Sequence, residues 1–386
     1  MGSESPAAKS IPPAAFTVAL DEGGVHLIDR LAEEWRELCS RAVDDQPFYR
    51  PEWIRAYLRA FVPDAVLLLL SVRLDGRLHL VLPLVRERVW LAGIPLRGLR
   101  APANIHPGRF DAVRSAGAEG DAALTAACTT LSQSRWDILE FAHIPEKSTV
   151  AELISTLSTL GWRTYSVREK SNPYVIIPSN PDLRSRMPIN SRLRTKLRQA
   201  RRELTSQGSL KFSRVEVAEH AALERFYQLE ASGWKGRQGS AIVSVPQVRY
   251  FYQEIAEAAA SLRYFVLYML ELNERLLAAH FSLMLAGRCY SPKVAYDESF
   301  ARYAPGHLIV AEILDDCASR GISVYDITGP ADEWKMKWTT ETYKLNRHVV
   351  MGRGALARLA SAIRFKLRPE IVGLLRSMRK REKPRP

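Results

Sequence analysis

Residues 289–338 read CYSPKVAYDESFARYAPGHLIVAEILDDCASRGISVYDITGPADEWKMKW, and the parsing of this stretch decides the fold. Cys289 to Asp297 is strand-like but contains Pro292, which cannot donate to a ladder and so marks an edge, a bulge or a splayed pair. Tyr303-Ala-Pro-Gly-His-Leu308 opens a helix with Pro305 in the first turn, where its missing N–H costs nothing. Ala304 is a poor N-cap and Gly306 adds no side chain, so this start suits an anion, and a pyrophosphate above all. An ordinary sheet-covering helix whose first amides see only water fits the same residues. Ile309, Val310, Ile313, Leu314 and Cys317 give the helix its apolar stripe, and Gly321 ends it. Ile322 to Thr328 is the next strand, with Asp326 near its C-terminal end, where open α/β sheets present their chemistry.

Tyr296-Asp297, Tyr303-x-Pro305-Gly306-x-Leu308, Gly321, Tyr325-Asp326-x-x-Gly329 and Lys335-x-x-Trp338, in that order, resemble the signature of the CelD-like acyltransferases. These are GNAT-superfamily proteins linked to cellulose and other envelope polysaccharides, and similar in structure to the Fem peptidoglycan transferases. Upstream, Glu230-Ala-Ser-Gly-Trp234-Lys235-Gly236 resembles the same family's Trp-Lys-Gly segment. The resemblance implies acetyl-CoA or another acyl-CoA as donor, a small or saccharide-linked amine or hydroxyl as acceptor, and no metal.

Acyl transfer from a thioester needs a deprotonated acceptor, a stabilised carbonyl oxygen and an accommodated thiolate. The donor is expected along Lys293, Ala295, Ala304, Gly306, His307 and Leu308, with amides near Lys293 to Ala295 meeting the carbonyl. For the base, Asp326 ranks before Asp297 and His280. Lys335 can orient the acceptor, and Tyr303 can donate to the leaving sulfur. Trp234, Lys235, Tyr296 and Trp338 are the acceptor-side candidates, Trp234 as a stacking face in a glycine-bearing, mobile flap from Trp234 to Ser240. A solitary strand histidine is usually a hydrogen-bonded structural residue, and His280 is a usable base only if it faces the cleft. No Cys or Ser nucleophile has a base partner visible in the sequence, which favours direct attack.

With 386 residues, 47% apolar and 25% charged, the chain suits two domains of a globular α/β (α+β) protein. Cys39, Cys128, Cys289 and Cys317 lie far apart and read as reduced core residues of a cytoplasmic protein. No signal peptide or spanning segment is expected, since the longest apolar run, Ala65 to Leu70, has strand length. The net charge of +13 is localised: 353–386 holds 11 Lys or Arg against two Glu, and 191–204 holds six against one. The rest of the chain is close to neutral.

In order, residues 1–15 are small, polar and expected to be disordered. Helices are expected from about Val25 to Ala42 and from Gln46-Pro-Phe48-Tyr-Arg-Pro51 onward. Val66 to Val72 and Leu78 to Leu84 flank Asp75-Gly76, and Phe265 to Glu271 and Leu277 to Leu285 flank Asn273-Glu274, a hairpin in each half. Trp136-Asp137-Ile-Leu139 is placed as Tyr325-Asp326-Ile327 is, which predicts two tandem GNAT-like domains, each a mixed sheet flanked by helices. The first, 16–180, lacks the pyrophosphate signature; His106-Pro107-Gly108 is its nearest echo, with no helical pattern after it. PSNP at 178–181 marks the boundary, and 181–351 is the acyltransferase domain.

Asn190 can cap a helix with an apolar stripe of Leu193, Leu197, Ala200 and Leu204 among six basic residues, either a solvated face or a holder of an anion. No aromatic stacking or DNA-reading motif accompanies it, which argues against nucleic acid. From 352 to 386, Leu356, Leu359, Ile363 and Leu367 recur among arginines as a basic amphipathic tail, suited to the inner face of the cytoplasmic membrane or to docking on the body. Two further readings are an aminoacyl-tRNA-dependent transferase, as in the Fem relatives, and a catalytically silent scaffold of polysaccharide assembly.

Overall fold

Asp75 and Gly76 take φ of +50° and +81°, and Asn273 and Glu274 take +47° and +68°. These left-handed pairs are what a two-residue type I′ turn requires, so each half is built on a tight hairpin. The computed structural model describes residues 16–103, 106, 108–178 and 191–367. The expected disordered start, the caps and turns at 179–190, and the tail beyond 367 lie outside them.

The strands are Phe16–Gly23 (β1), Val66–Leu74 (β2), Arg77–Leu91 (β3), Ile94–Arg100 (β4), Val113–Arg114 (β5), Ile138–Pro145 (β6) and Arg163–Ile176 (β7). Then follow Leu210–Val215 (β8), Phe265–Leu272 (β9), Arg275–Leu285 (β10), Arg288–Tyr296 (β11), Val324–Asp326 (β12) and Thr342–Met351 (β13). They join in one mixed sheet of order β1-β2-β3-β4-β6-β13-β7-β12-β11-β10-β9-β8, with β5 against β3. After each hairpin comes a parallel pair: β4 with β6 over Gly98–Arg100, and β11 with β12 over Arg288–Tyr290. A helix crosses over within each pair, Ala118–Gln133 in the first half and Pro305–Ser319 in the second. The first-half helix starts after Gly117, at φ +89°, and not at the His106-Pro-Gly echo, which leads into extended chain and β5.

The division at residue 180 does not hold for β13, which was expected in the second domain. It lies between β6 and β7 in the first half's sheet, and β7 pairs with β12, so the sheet runs unbroken from half to half. The helices Pro51–Phe61 and Pro246–Ser261 also join the halves: Phe251 stacks edge-on against Trp53 at 5.1 Å and tilts against Phe61 at 5.4 Å. A buried aromatic pair of this kind adds about 1 kcal/mol beyond its area. The basic helix Ser191–Thr205 buries Leu193, Leu197, Ala200 and Leu204 in the cluster that holds Tyr303, Leu308 and Ile309. It therefore lies across the start of the Pro305–Ser319 helix.

All four cysteines are buried and unpaired. Among the described residues no helix is long and apolar enough to cross a membrane. The tail begins with a helix, Ala355–Ser361, whose buried face is Ala357 and Ala360 against Leu96, Ile138 and Met351. The expected stripe members Leu356 and Leu359 are exposed instead, because only the small alanines allow this close approach to the sheet.

Candidate active site

β11 and β12 run side by side for three residues and then part. Pro292 brings no N–H to a ladder, and the β10 register slips opposite it between Phe281 and Leu283. After Asp326 the chain turns away through Thr328 at φ +49° and Gly329 at φ +67°. Between the parted strands lies a cavity of about 550 Å³. Ser291, Pro292 and Val294 to Tyr296 wall one side, Ile327 to Gly329 the other, and the first turn of the Pro305–Ser319 helix opens onto it.

That helix has Pro305 at its first position, and Ala304 before it is left-handed at φ +51° with no side-chain cap. The amides of His307 and Leu308 both donate to the Ala304 carbonyl, at 2.9 and 3.0 Å. The open array of amides expected here is therefore narrowed to Gly306, whose amide is not drawn to that carbonyl. A Cβ on Gly306 would meet Tyr296 at an ordinary 3.5 Å, so the position faces the cavity without crowding. Leu308 is buried in the core and does not line it.

His307 does. Its Nδ1 accepts from Trp338 Nε1 at 2.9 Å, which leaves the proton on Nε2. Burial, then Lys337 and Lys196, push its pKa down to about 4, so it stays a neutral donor. Trp338 itself is buried behind His307, and it positions that ring and does not meet an acceptor. Lys196, from the basic helix, reaches the cavity rim beside His307.

The Trp234–Ser240 segment, expected as a flap, is tied to its surroundings. Trp234–Arg237 is a short helical turn whose Trp234 amide donates to Glu298 at 2.9 Å. Gly236 sits so close to Ala231 that a Cβ would lie 1.7 Å from its carbonyl oxygen, so this glycine serves close packing. Trp234 and Tyr296 present half-exposed rings to the cavity.

Lys235 donates to Glu230 at 2.7 Å and to the Val294 carbonyl at 3.3 Å. Within a strand the N–H and C=O of one residue share an edge, so the Val294 amide faces the cavity as well. Glu230 also receives the Ile242 amide at 2.8 Å and faces Lys293 at 3.5 Å. Burial opposes its charge, but Lys293 and Lys235 outweigh it and hold the carboxyl below its ordinary range. Lys293 does not line the cavity; burial lowers its pKa while Glu230 holds it back.

Glu230 is the site residue that sequence reading passed over. Leu223, Phe226, Tyr227 and Glu230 follow helical spacing, and a carboxylate on such an apolar face needs cationic partners. That was the signal.

Of the expected bases, only His280 lines the cavity. It is 1% exposed, its Nδ1 meets the Tyr325 hydroxyl at 3.0 Å, and burial pushes its pKa down to about 3, too low for a useful base near neutrality. Asp297 caps the turn after β11, accepting from the Ser299 amide and pairing with Arg275 at 2.7 Å. Asp326 is buried behind the cavity wall, where Oδ2 accepts from Arg109 at 2.8 Å and Oδ1 from the Thr328 amide at 2.9 Å. Paired with Arg109 and absent from the cavity lining, it has no reach to an acceptor there, whereas Glu230 does line the cavity. The Tyr303 ring packs in the core while its hydroxyl turns outward, accepting from Gln207 at 2.8 Å and from Arg302, and it does not line the cavity.

Lys335 lines the cavity and is 6% exposed, donating to the Thr328 and Pro330 carbonyls at 2.7 and 3.0 Å. Burial lowers its pKa and Asp332 opposes that shift. Among the described residues no group of three or more His, Cys, Asp or Glu side chains is arranged to hold a metal ion.

Residues 191–336 match a family model described as an acetyltransferase (GNAT) domain. No curated protein sequence matches the chain significantly. Among solved structures, FemX is similar with a TM-score of 0.58 at 12% identity, over 85% of this chain and 98% of that one. The C-terminal domain (DUF2156) of a putative lysylphosphatidylglycerol synthetase from Agrobacterium fabrum gives 0.49 at 12% identity, over 87% and 95%. A tandem GNAT protein from the clavulanic acid biosynthesis pathway gives 0.46 at 11%, over 88% and 100%. At 12% identity the likeness to FemX is one of fold.

Proposed function

We propose that this chain, which carries a GNAT acetyltransferase domain over residues 191–336, transfers an acyl group from an acyl-CoA thioester to a primary amine, with a saccharide-linked amine as the favoured acceptor. The observation that carries this reading is the parting of β11 and β12 over a cavity onto which a helix start opens. A thioester arm can lie between the strands while its phosphates meet the Gly306 amide, the His307 ring and Lys196.

The Val294 amide is the donor for the carbonyl oxygen as it gains charge. The amine nitrogen attacks the carbonyl carbon, the C–S bond breaks, and the sulfur leaves as a thiolate. A thiol pKa of about 8.5 makes that departure easy. After attack the nitrogen is a strongly acidic ammonium, so a weak base suffices to take its proton, and Glu230 fills that role in place of Asp326. A hydroxyl acceptor needs a stronger base. His280 at about 3, Glu230 held low and Lys335 fixed by two carbonyls do not supply one, which favours N-acylation. The rings of Trp234 and Tyr296 suit stacking on a sugar.

The CelD-like resemblance supports an envelope or exopolysaccharide acceptor, and the basic surplus beyond residue 352 supports attachment to an anionic membrane surface. The test is release of free thiol from acetyl-CoA in the presence of a panel of aminosugars and alkylamines. Acceptor-dependent release is expected with at least one amine and not with the matching sugars that carry only hydroxyls. Release with the hydroxyl sugars alone contradicts the N-acyl assignment.

A further inference from the structure

The first half reaches the back of one wall of the second half's cavity. Arg109 is 2% exposed, with its guanidinium against the rings of Phe48, Tyr290 and Tyr343 at 4.9, 5.4 and 4.8 Å. It donates to Gln46 at 2.9 Å, to Asp326 at 2.8 Å and to the Tyr343 hydroxyl. Asp326 in turn accepts the Thr328 amide, which fixes a left-handed turn that a non-glycine residue seldom adopts unaided. The Thr328 hydroxyl then crosses the parted strands to the Ser291 carbonyl at 2.9 Å.

Asn172, on β7 of the first half, holds the next residue. With its amide oriented so that both ends are satisfied, it donates to the Gly329 carbonyl at 2.8 Å and accepts from the Gly329 amide at 3.3 Å. Ile327, Thr328 and Gly329 are one wall of the cavity. That wall is thus suspended from two buried side chains of the other half.

We infer that the first half is a positioning element: Arg109, through Asp326, and Asn172 set how far β12's end stands from β11, and so the width of the donor slot. Neither residue lines the cavity, and both act through the 326–329 turn. The inference rests on the acyl-CoA reading of that slot.

The test compares unliganded melting temperature with the coenzyme A dissociation constant from calorimetry, in full-length wild type, Arg109→Met, Asp326→Leu and the double variant. Each single change strands a buried charge and lowers the melting temperature; the double variant removes both charges and recovers most of it. A merely structural pair predicts that coenzyme A affinity recovers with it. Positioning predicts that the double variant, though stable, still binds about tenfold more weakly. Asn172→Ala leaves the ion pair intact and is the second variant, useful if the double variant fails to fold, with the same loss of affinity expected. Wild-type affinity in either folded variant overturns the inference. No coenzyme A binding by wild type overturns the donor reading itself, and this inference with it, so the two failures are distinguishable.

Discussion

Glu230, in the cavity wall, is held ionised by two lysines that both meet its Oε1. Glu230→Gln leaves Lys235 and Lys293 facing a neutral amide, so a stability loss of about 3 kcal/mol is expected in denaturant unfolding. Turnover should fall about 10²-fold if Glu230 accepts the ammonium proton. Turnover that survives the substitution removes Glu230 from the chemistry. The histidines supply a pH prediction. His280 at about 3, and His307 and His106 at about 4, are all depressed mainly by burial. Below the free value of about 6.5 the unfolded chain takes up protons that the native state refuses. Stability is therefore full above that value and falls as pH drops toward the folded values. Asp111, pushed up to about 7 by burial, works in the opposite sense but is one group against several. The melting temperature should decline from pH 7 to pH 5, less steeply in His280→Gln; a flat profile contradicts this.

Pro305, Gly306, Lys335 and Trp234, which local sequence singles out, all line the cavity. Those that the sequence misassigned have roles decided across the chain. Asp326 lies at a strand end, as a base would, but its partner Arg109 is 217 residues away. No local pattern announces that pair.

Among the elements, the basic helix Ser191–Thr205 does two things at once. Its stripe packs across the start of the Pro305–Ser319 helix, and Lys196 projects to the cavity rim. Leu197→Ala should cost about 2–4 kcal/mol through the lost burial and cavity. Lys196→Glu should leave stability within about 0.5 kcal/mol, as surface changes do, yet weaken coenzyme A binding, most visibly at low salt. Equal affinity for the Lys196→Glu variant separates this helix from the donor. Trp338→Phe is expected to cost about 1 kcal/mol for the hydrogen bond to His307, checked by thermal unfolding. The helices and hairpins were legible because their periodicity and turn dipeptides are local. The short turn at Trp234–Arg237 was not, since Glu298 and Ala231 fix it from elsewhere.

Over the whole molecule, the continuous sheet makes the halves one mechanical body, with β13 carrying the end of the second half back between β6 and β7. The repeated hairpins made the tandem plan readable, but strand exchange leaves no mark in composition or spacing. The most direct test of the account is a calorimetric and thermal-shift titration of the purified chain with coenzyme A and acetyl-CoA, beside Gly306→Glu. Gly306 is helical and uncrowded, so the variant should fold. The account predicts that coenzyme A stabilises the wild type by mass action and that the glutamate, placed where the phosphates are expected, abolishes it. Coenzyme A that fails to bind the wild type, or binds the variant equally well, contradicts it.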